Sequence, residues 1–372
     1  MIDSKNRLSA TTRPEIKQLR AALRAAEVPL RSGDPPMAIT LADAKLNTQD
    51  DIDLTVIDEF RKSSWLLDNL TFDDVVNPAG GGATLSYGYT RLVAERPAQF
   101  RKLNTEYPKA QAKRQRYSVD LSPLGGAFEI DRVLSNQGPA ASNEVAFQMD
   151  QTIKSARAFF SDQVINGKRV TTPGAEEGFD GLDKALAGST TEMGAGTSLD
   201  WTGSAIGSDA GKANDALDIL DEFLALLDGT PSALFGNKKT IARVRSLARR
   251  AGYYDRSPNA FGQNIESYNG IVLVDLGDKA GATTPVVPIE SRDVDGAGAG
   301  TAISGLSDLY AVRLGLDGFH GVSTVGGQLV RQWLPDFTTA GAVKTGEVEL
   351  GPVAVALKAT KAAAVLRNIK VQ

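Results

Sequence analysis

The stretch that decides the fold runs from residue 80 to residue 121 and reads GGGATLSYGYTRLVAERPAQFRKLNTEYPKAQAKRQRYSVDL. Its flanks alternate like β-strands: residues 84–90 run outward and residues 116–121 run back. Pro97 and Pro108 lie near the tip, where they discourage a regular sheet. We therefore predict an extended β-hairpin, which we call the arm (residues 80–118). A long exposed arm has little use in a monomer, so we expect it to lie on another copy of the chain.

The arm is strongly basic, whereas the segment before it is acidic. Residues 91–116 hold eight basic residues against two acidic ones, and residues 43–74 hold nine acidic residues against three basic ones. These equal and opposite net charges, +6 and −6, predict contacts between copies that salt would weaken. A solvated surface explains such charge runs equally well. The candidate contact residues are Arg91, Arg96, Arg101, Lys102, Lys109, Lys113, Arg114, Arg116, Asp50, Asp51, Asp53, Asp58 and Glu59.

A long amphipathic helix is predicted after the arm. It begins after Gly138-Pro139, with Ser142 or Asn143 available as the N-cap, and ends at the C-cap signature Asn166-Gly167. Its apolar positions recur in steps of three and four residues, so one face is expected to be buried against a sheet. These positions are Val145, Met149, Ile153, Ala156, Phe160 and Val164.

The rest of the chain mixes helices and strands. Two further helices are predicted at residues 213–228 and 238–251, and an amphipathic helix that includes Ile52 and Leu66 ends near residues 69–70. Residues 188–211 are rich in Gly, Ser and Thr and are expected at the surface. The predicted strands are 233–235, 271–274, 286–289, 309–316, 328–333, 353–357 and 365–371. The order indicates an α+β fold with a central α/β block.

Composition excludes several classes of enzyme. The 372 residues include no cysteine and one histidine, which rules out thiol nucleophiles, disulfides and Cys/His zinc sites. His320 has no acidic neighbour in sequence, and we expect an ordinary histidine at a loop or strand end. The net charge of −4 gives no bulk attraction to nucleic acid or to membrane, and no apolar run approaches the ~20 residues that span a bilayer. We expect a non-enzymatic protein with no cofactor and no membrane partner.

Motifs for phosphate, dinucleotide or cation binding are incomplete. Residues 207–213 lack the spacing and the hydroxyl of a phosphate-binding loop, and residues 296–300 lack the flanking strand and helix of a dinucleotide loop. Asp275 and Asp278 are better explained as turn residues. Arg249-Arg250 precede Tyr253-Tyr254 in what could be a weak nucleic-acid patch, but the end of a charged helix explains them as well.

The order of these segments resembles that of the major capsid protein of tailed bacteriophages, the Hong Kong 97-like fold. The resemblance covers residues 37–372. Each motif is loose, but their order and spacing together are fairly specific. The matching segments are Phe128–Leu134 before the long helix, Val164–Gly167 with Gly178–Leu182 after it, Ser232–Asn237 leading into Ile241–Val244, Tyr268–Val274, and Ala354–Thr360.

The resemblance implies an icosahedral shell of pentamers and hexamers that encloses double-stranded DNA. It implies a virion protein assembled in the host cytoplasm, with a separate scaffolding protein, a portal, non-specific DNA contact and, in some members, a decoration protein. Some members of the family join a lysine of the extended loop covalently to an asparagine of a neighbouring subunit. Lys102, Lys109 and Lys113 lie in the matching segment, but no acceptor asparagine can be identified in this sequence. The implied divisions are a leader (1–36), an N-terminal arm with the first helix (37–79), the extended loop (80–118), a peripheral domain with the spine helix (119–211), an axial domain (212–320) and returning strands (321–372).

Two other functions fit the sequence less well. One is the shell of a bacterial nanocompartment, an encapsulin-like protein of the same fold, which would enclose cargo protein instead of genomic DNA. The other is an α/β enzyme that depends on a metal or on carboxylates. A compact monomer that binds a metal or a small ligand would indicate the enzyme.

Overall fold

The computed structural model describes residues 65–76, 84–107, 109–135, 139–170, 172, 178–252, 254–258, 264–294, 302–324 and 330–372. The predictions for the leader, for the acidic residues before position 65 and for residues 77–83 lie outside these described residues. The helices are α1 Trp65–Asn69, α2 Arg132–Ser135, α3 Pro139–Asn166, α4 Leu182–Leu186, α5 Gly203–Ser208, α6 Ala210–Ala225 and α7 Lys238–Ala251, with a 3-10 turn at Thr360–Ala362.

The strands fall into three sheets. They are β1 Phe72–Val76, β2 Ser86–Ala94, β3 Lys113–Asp120, β4 Ser122–Asp131, β5 Glu192–Met193, β6 Leu199–Asp200, β7 Ala233–Gly236, β8 Tyr254–Pro258, β9 Asn264–Tyr268, β10 Ile271–Asp275, β11 Glu290–Arg292, β12 Ile303–Val312, β13 Phe319–Thr324, β14 Val330–Trp333, β15 Val343–Leu357 and β16 Ala363–Lys370. Strands β2 and β3 pair only with each other among the described residues, so the predicted hairpin of the arm is confirmed.

The five-stranded sheet is organised around β15. Its first half pairs with β4 on one side and β14 on the other, and its second half pairs with β13, which in turn pairs with β1 in parallel. Gly346 of β15 lies opposite Phe128 of β4, and a Cβ there would lie 2.4 Å from the Phe128 ring. The glycine therefore makes room for a large aromatic side chain between paired strands.

The nine-stranded sheet has the order β5-β16-β12-β7-β10-β9-β8, with β11 on β12 and β6 on β16. Both of its faces are covered. Leu234 of β7 belongs to the core beneath α6 and α7, whereas its neighbours Ala233 and Phe235 belong to the core shared with α3 and α4. Successive side chains of a strand point to opposite faces, so every residue of β7 is buried.

Helix α3 joins the two sheets into one core. It packs on β4 and β15, and its buried residues Phe160, Val164 and Ile165 belong to the same cluster as residues of both sheets. The Phe160 ring lies 6.2 Å from that of Phe72 on β1 and 6.1 Å from that of Phe179. The predicted burial of this helix against a sheet is confirmed. The predicted N-cap at Ser142 or Asn143 was wrong, because the helix already begins at Pro139. Proline is favoured at the first helical position, since an N–H there would have no hydrogen-bond partner within the helix.

Most of residues 188–211 are exposed, as expected, although the stretch also contains β5, β6 and α5 and buries Trp201 and Ile206. Two predicted strands need correction. Residues 286–289 form no strand, although Val286 and Val287 are fully buried, and the strand follows at β11. The predicted strand at 309–316 is displaced, because β12 begins at residue 303 and ends at residue 312.

We predict that Phe160→Ala lowers the free energy of unfolding by about 3–5 kcal/mol, because it opens a cavity where both sheets meet α3. Phe159→Ala is the matched control, since Phe159 is adjacent but 42% exposed, and it should cost much less. Urea unfolding of the two variants measures the difference. Equal losses would contradict the role assigned to Phe160.

Candidate functional site: the arm, its root and the adjacent groove

The arm is an open two-stranded ribbon with a folded tip. Its strands pair in register from Ser86 opposite Asp120 to Ala94 opposite Lys113. Beyond them the chain is extended and turns at Leu103-Asn104, where Asn104 adopts a left-handed backbone conformation with φ 62°. Asparagine tolerates this conformation better than most residues, which explains its place in the turn.

Polar contacts hold the tip in shape. The Thr105 hydroxyl donates to the Lys102 carbonyl at 2.8 Å, and Nη1 of Arg101 donates to the Thr105 carbonyl at 3.2 Å. The Arg101 guanidinium also lies 5.4 Å from the centre of the Tyr107 ring. The tip is therefore a defined turn within the arm.

Large apolar side chains on the arm are exposed. Phe100 is fully exposed and Leu103 is 90% exposed, both next to the tip. Leu92, Val93 and Tyr107 are also exposed along the arm. Apolar surface of this extent, carried on a thin ribbon, is typical of a binding surface and not of a free monomer.

Arg91 fixes the root of the arm to its own subunit. Its Nε donates to the Lys358 carbonyl at 2.8 Å, and its Nη2 donates to the Leu357 carbonyl at the end of β15. The Tyr89 hydroxyl donates to the same Leu357 carbonyl at 3.1 Å. The guanidinium also stacks over the rings of Tyr89 and Tyr117, at 5.5 and 4.5 Å from their centres. Guanidinium donors suit such a cluster of carbonyls and rings.

The remaining predicted contact residues divide into two groups. Arg96, Arg101, Lys102, Lys109, Lys113, Arg114 and Arg116 are exposed on the arm, whereas Arg91 is partly buried in its own subunit. The acidic candidates Asp50, Asp51, Asp53, Asp58 and Glu59 lie outside the described residues. The pairing of the two charge blocks between copies therefore stays a prediction.

A buried polar cluster lies beneath the root. The Tyr87 hydroxyl donates to Oδ2 of Asp73 at 2.8 Å, Nζ of Lys358 lies 3.5 Å from the same oxygen, and Nε2 of His320 lies 4.0 Å from it. His320 is fully buried at the start of β13, so the expected strand-end position is correct. Its acidic neighbour could not be found in the sequence, because Asp73 arrives through the parallel pairing of β1 with β13.

The surroundings of the cluster shift the pKa values of His320 and Asp73. Burial lowers the pKa of His320, and the Lys358 charge lowers it further, against the opposing effect of Asp73. Burial raises the pKa of Asp73, but the Tyr87 hydroxyl, the Val75 amide and Lys358 outweigh it, so the pKa is lowered. Asp73 is therefore ionised and His320 neutral near pH 7.

A groove of about 1120 Å³ lies beside the root, between β4 and α3. The root residues Leu85 and Leu121 form one end, and Phe159 of α3 and Val170 line it further along. Leu85, Phe159 and Val170 are each about two-fifths exposed. The groove is thus a concave apolar surface that begins where the arm leaves the subunit.

The described residues contain no group of three or more residues suited to hold a metal ion. Across the same residues, no helix has the length and apolarity needed to span a bilayer.

We predict that Arg91→Ala loosens the root, because it removes charge-assisted bonds worth about 1.5–3 kcal/mol each. Amide hydrogen exchange in peptides covering β2 and β3 of the dispersed subunit should accelerate about tenfold or more. Arg114→Ala is the control, because Arg114 is exposed on β3 and should leave exchange unchanged. Equal exchange in the two variants would show that Arg91 does not hold the arm.

We predict that His320→Gln reduces the loss of stability on acidification. The folded pKa of His320 lies below its ordinary 6.5, so the unfolded chain takes up the proton first as pH falls through that value, and folding weakens. The contribution is at most about 1.4 kcal/mol per pH unit for one proton. Urea unfolding between about pH 7.5 and pH 5 measures the slope. Tyr87→Phe keeps the histidine and should retain the slope, whereas an unchanged slope in His320→Gln would contradict the assignment.

Comparison with known proteins identifies the fold. No family model matches the sequence, and no curated protein matches it. Among solved structures, the capsid of the native GTA particle is 14% identical with a TM-score of 0.52, covering 86% of this chain and 94% of that chain. The capsid of Myoviridae phage XM1 is 13% identical with a TM-score of 0.51, covering 89% and 99%.

An encapsulin is similar to the same degree. The holo-SrpI encapsulin complex from Synechococcus elongatus PCC 7942 is 15% identical with a TM-score of 0.50, covering 90% of this chain and 98% of that chain. The match thus extends over nearly the whole of each shell protein. The α+β prediction is confirmed, and the chain has the Hong Kong 97-like fold.

Proposed function

We propose that this chain is a major capsid protein that assembles into an icosahedral shell around the double-stranded DNA of a tailed phage. The observation that carries the proposal is the arm, which is fixed at its root by Arg91 and exposes Phe100 and Leu103 at its tip. The shared fold with the phage XM1 and GTA capsids supports it.

The exposed tip is the reason to expect assembly. An isolated two-stranded ribbon is marginally stable in water, and burying the Phe100 and Leu103 side chains on another surface would recover their apolar transfer energy, about 1.5–3 kcal/mol each. Their own subunit leaves both side chains exposed. A second copy of the chain is present in every assembly of this protein and can supply such a surface.

The groove between β4 and α3 is our candidate for that surface. The groove is concave, and its lining residues Leu85, Phe159 and Val170 are partly exposed. It therefore offers an apolar surface to the exposed tip. Tip and groove are different surfaces of one chain, so their contact is head-to-tail, and such contacts form rings where the rotation between copies closes. Pentamers and hexamers are such rings. We also propose that the basic residues of the arm contact the acidic block, residues 43–74, of a neighbouring copy.

The proposal includes the division of the chain that the resemblance implies. Residues 1–79 precede the arm (80–118), which is followed by the peripheral domain (119–211 with the strands of 321–372) and the axial domain (212–320). A scaffolding protein, a portal, non-specific DNA contact and decoration are its expected partners, and assembly takes place in the host cytoplasm. The buried polar cluster at the root stabilises the fold and performs no catalysis in this account.

The likeness to an encapsulin keeps a nanocompartment shell as the second candidate. The contents of purified particles separate the two functions. Nuclease-protected genomic DNA supports the capsid, whereas a protein cargo without DNA supports the nanocompartment. A compact monomer with metal or small-molecule binding would contradict both.

We predict that Phe100→Asp reduces the yield of sedimenting particles about tenfold, because a charge must then be buried in the contact. Gln99→Asp is the matched control, since it adds the same charge to the adjacent exposed position and leaves the apolar side chain in place. Sedimentation velocity of both variants, with circular dichroism to confirm folding, measures the difference. Equal assembly of the two variants would refute the role of the tip.

A further inference from the structure

Two neighbouring helices on the nine-stranded sheet carry opposite charge. Helix α7 holds six basic residues and no acidic ones: Lys238, Lys239, Arg243, Arg245, Arg249 and Arg250. Helix α6 holds four acidic residues and one basic one: Asp215, Asp218, Asp221, Glu222 and Lys212. The two helices do not need this division of charge in order to cover the sheet, because their buried positions are apolar or small.

Most cations of α7 are used within the subunit. Lys239 bonds to Gln372, Arg243 donates to the Val371 carbonyl at 3.3 Å, and Arg250 donates to the Ile206 carbonyl. These three residues therefore face the C-terminal residues of the chain and α5. The opposite row of α7 contains Lys238, Arg245 and Arg249, in steps of seven and four residues.

That opposite row faces the β9 side of the sheet. Arg245 forms an ion pair with Glu266 of β9, which fixes its direction. Lys238 and Arg249 are exposed, and neither forms an ion pair among the residues that the structure describes. We call Lys238, Arg245 and Arg249 the basic row.

The acidic residues of α6 form a second row on another side of the domain. Asp221 accepts the Tyr268 hydroxyl of β9 at 2.9 Å, which marks the side of α6 that is turned toward β9. Asp215, Asp218 and Glu222 lie in steps of three and four residues on the exposed surface turned away from it. We call them the acidic row. Helix α6 packs on β16, whereas α7 packs on β7, β10 and β9.

We infer that the acidic row of one copy binds the basic row of the next copy, head to tail, in the rings of the shell. The inference rests on the proposed function and adds a second contact to that of the arm. The two rows are complementary in charge and directed to different sides of one domain, so identical copies join through unlike surfaces. A nucleic-acid partner would explain the basic row but would leave the acidic row without a role.

Because Lys238, Arg249 and the acidic row are exposed, while Arg245 is partly buried in its pair with Glu266, the pairing of the rows steers assembly and sets its geometry more than it adds stability. Raising the salt concentration should therefore slow ring formation before it weakens the subunit. The apolar tip of the arm responds in the opposite sense, since excluded salts strengthen apolar burial. Salt thus distinguishes the paired rows from the apolar tip, whereas the charged residues of the arm respond to salt as the rows do.

Charge reversal tests the inference. One variant carries Lys238→Glu with Arg249→Glu, so both of its rows are acidic, and the other carries Asp215→Lys with Glu222→Lys, so both are basic. Each alone should lose assembly about tenfold, because like charges meet at every contact. A chain with all four substitutions restores opposite charges and should assemble as the original chain does. Sedimentation velocity and electron microscopy measure yield and form, and urea unfolding verifies that each subunit folds.

Mixing the two variants sharpens the test. Acidic and basic copies must then alternate, which only an even number of copies allows, so hexamers form without pentamers and closed shells give way to sheets or tubes. Normal assembly of either variant alone, or failure of the fourfold variant, overturns the inference and leaves the shell function intact. Normal assembly of the Lys238→Glu, Arg249→Glu variant with a loss of nucleic acid overturns it in favour of DNA contact. If the original chain never assembles, the proposed function itself fails.

Discussion

Apolar surface that one folded chain leaves uncovered is the constraint that organises this molecule. Helix α3 joins both sheets through Phe160, Val164 and Ile165, which are fully buried. The arm is the opposite case, because it leaves Phe100 and Leu103 exposed. In the proposed function, these side chains become buried when the arm lies on another copy.

The root makes the arm useful as a connector. Arg91 and Tyr89 bind the last carbonyls of β15, and the Asp73, Tyr87, Lys358 and His320 cluster supports the strands beneath. The arm therefore leaves the subunit in a fixed direction while its tip stays exposed. Fixed direction is what repeated contacts in a ring require, since each copy must present the same surface to the next.

The elements with strong local patterns could be predicted from sequence. The hairpin of the arm follows from alternating residues, and the predicted helix at 238–251 coincides with α7, whose ends are set by the Asn237 cap and Gly252. Elements that depend on distant pairing could not be predicted. Trp201 is buried because β6 pairs with β16, and Asp73 reaches His320 because β1 pairs with β13. The role of Arg91 was also hidden, because its partners are backbone carbonyls, which leave no trace in a sequence pattern.

Electron microscopy of the fast-sedimenting fraction of the full chain tests the central claim most directly. We expect rings or closed shells in which the density of residues 86–120 crosses from the root of the arm onto the adjacent copy. A scaffolding partner can be supplied in the same preparation if the chain alone stays dispersed. Particles in which the arm lies on its own subunit, or a chain that remains monomeric in every partner context, would contradict the claim.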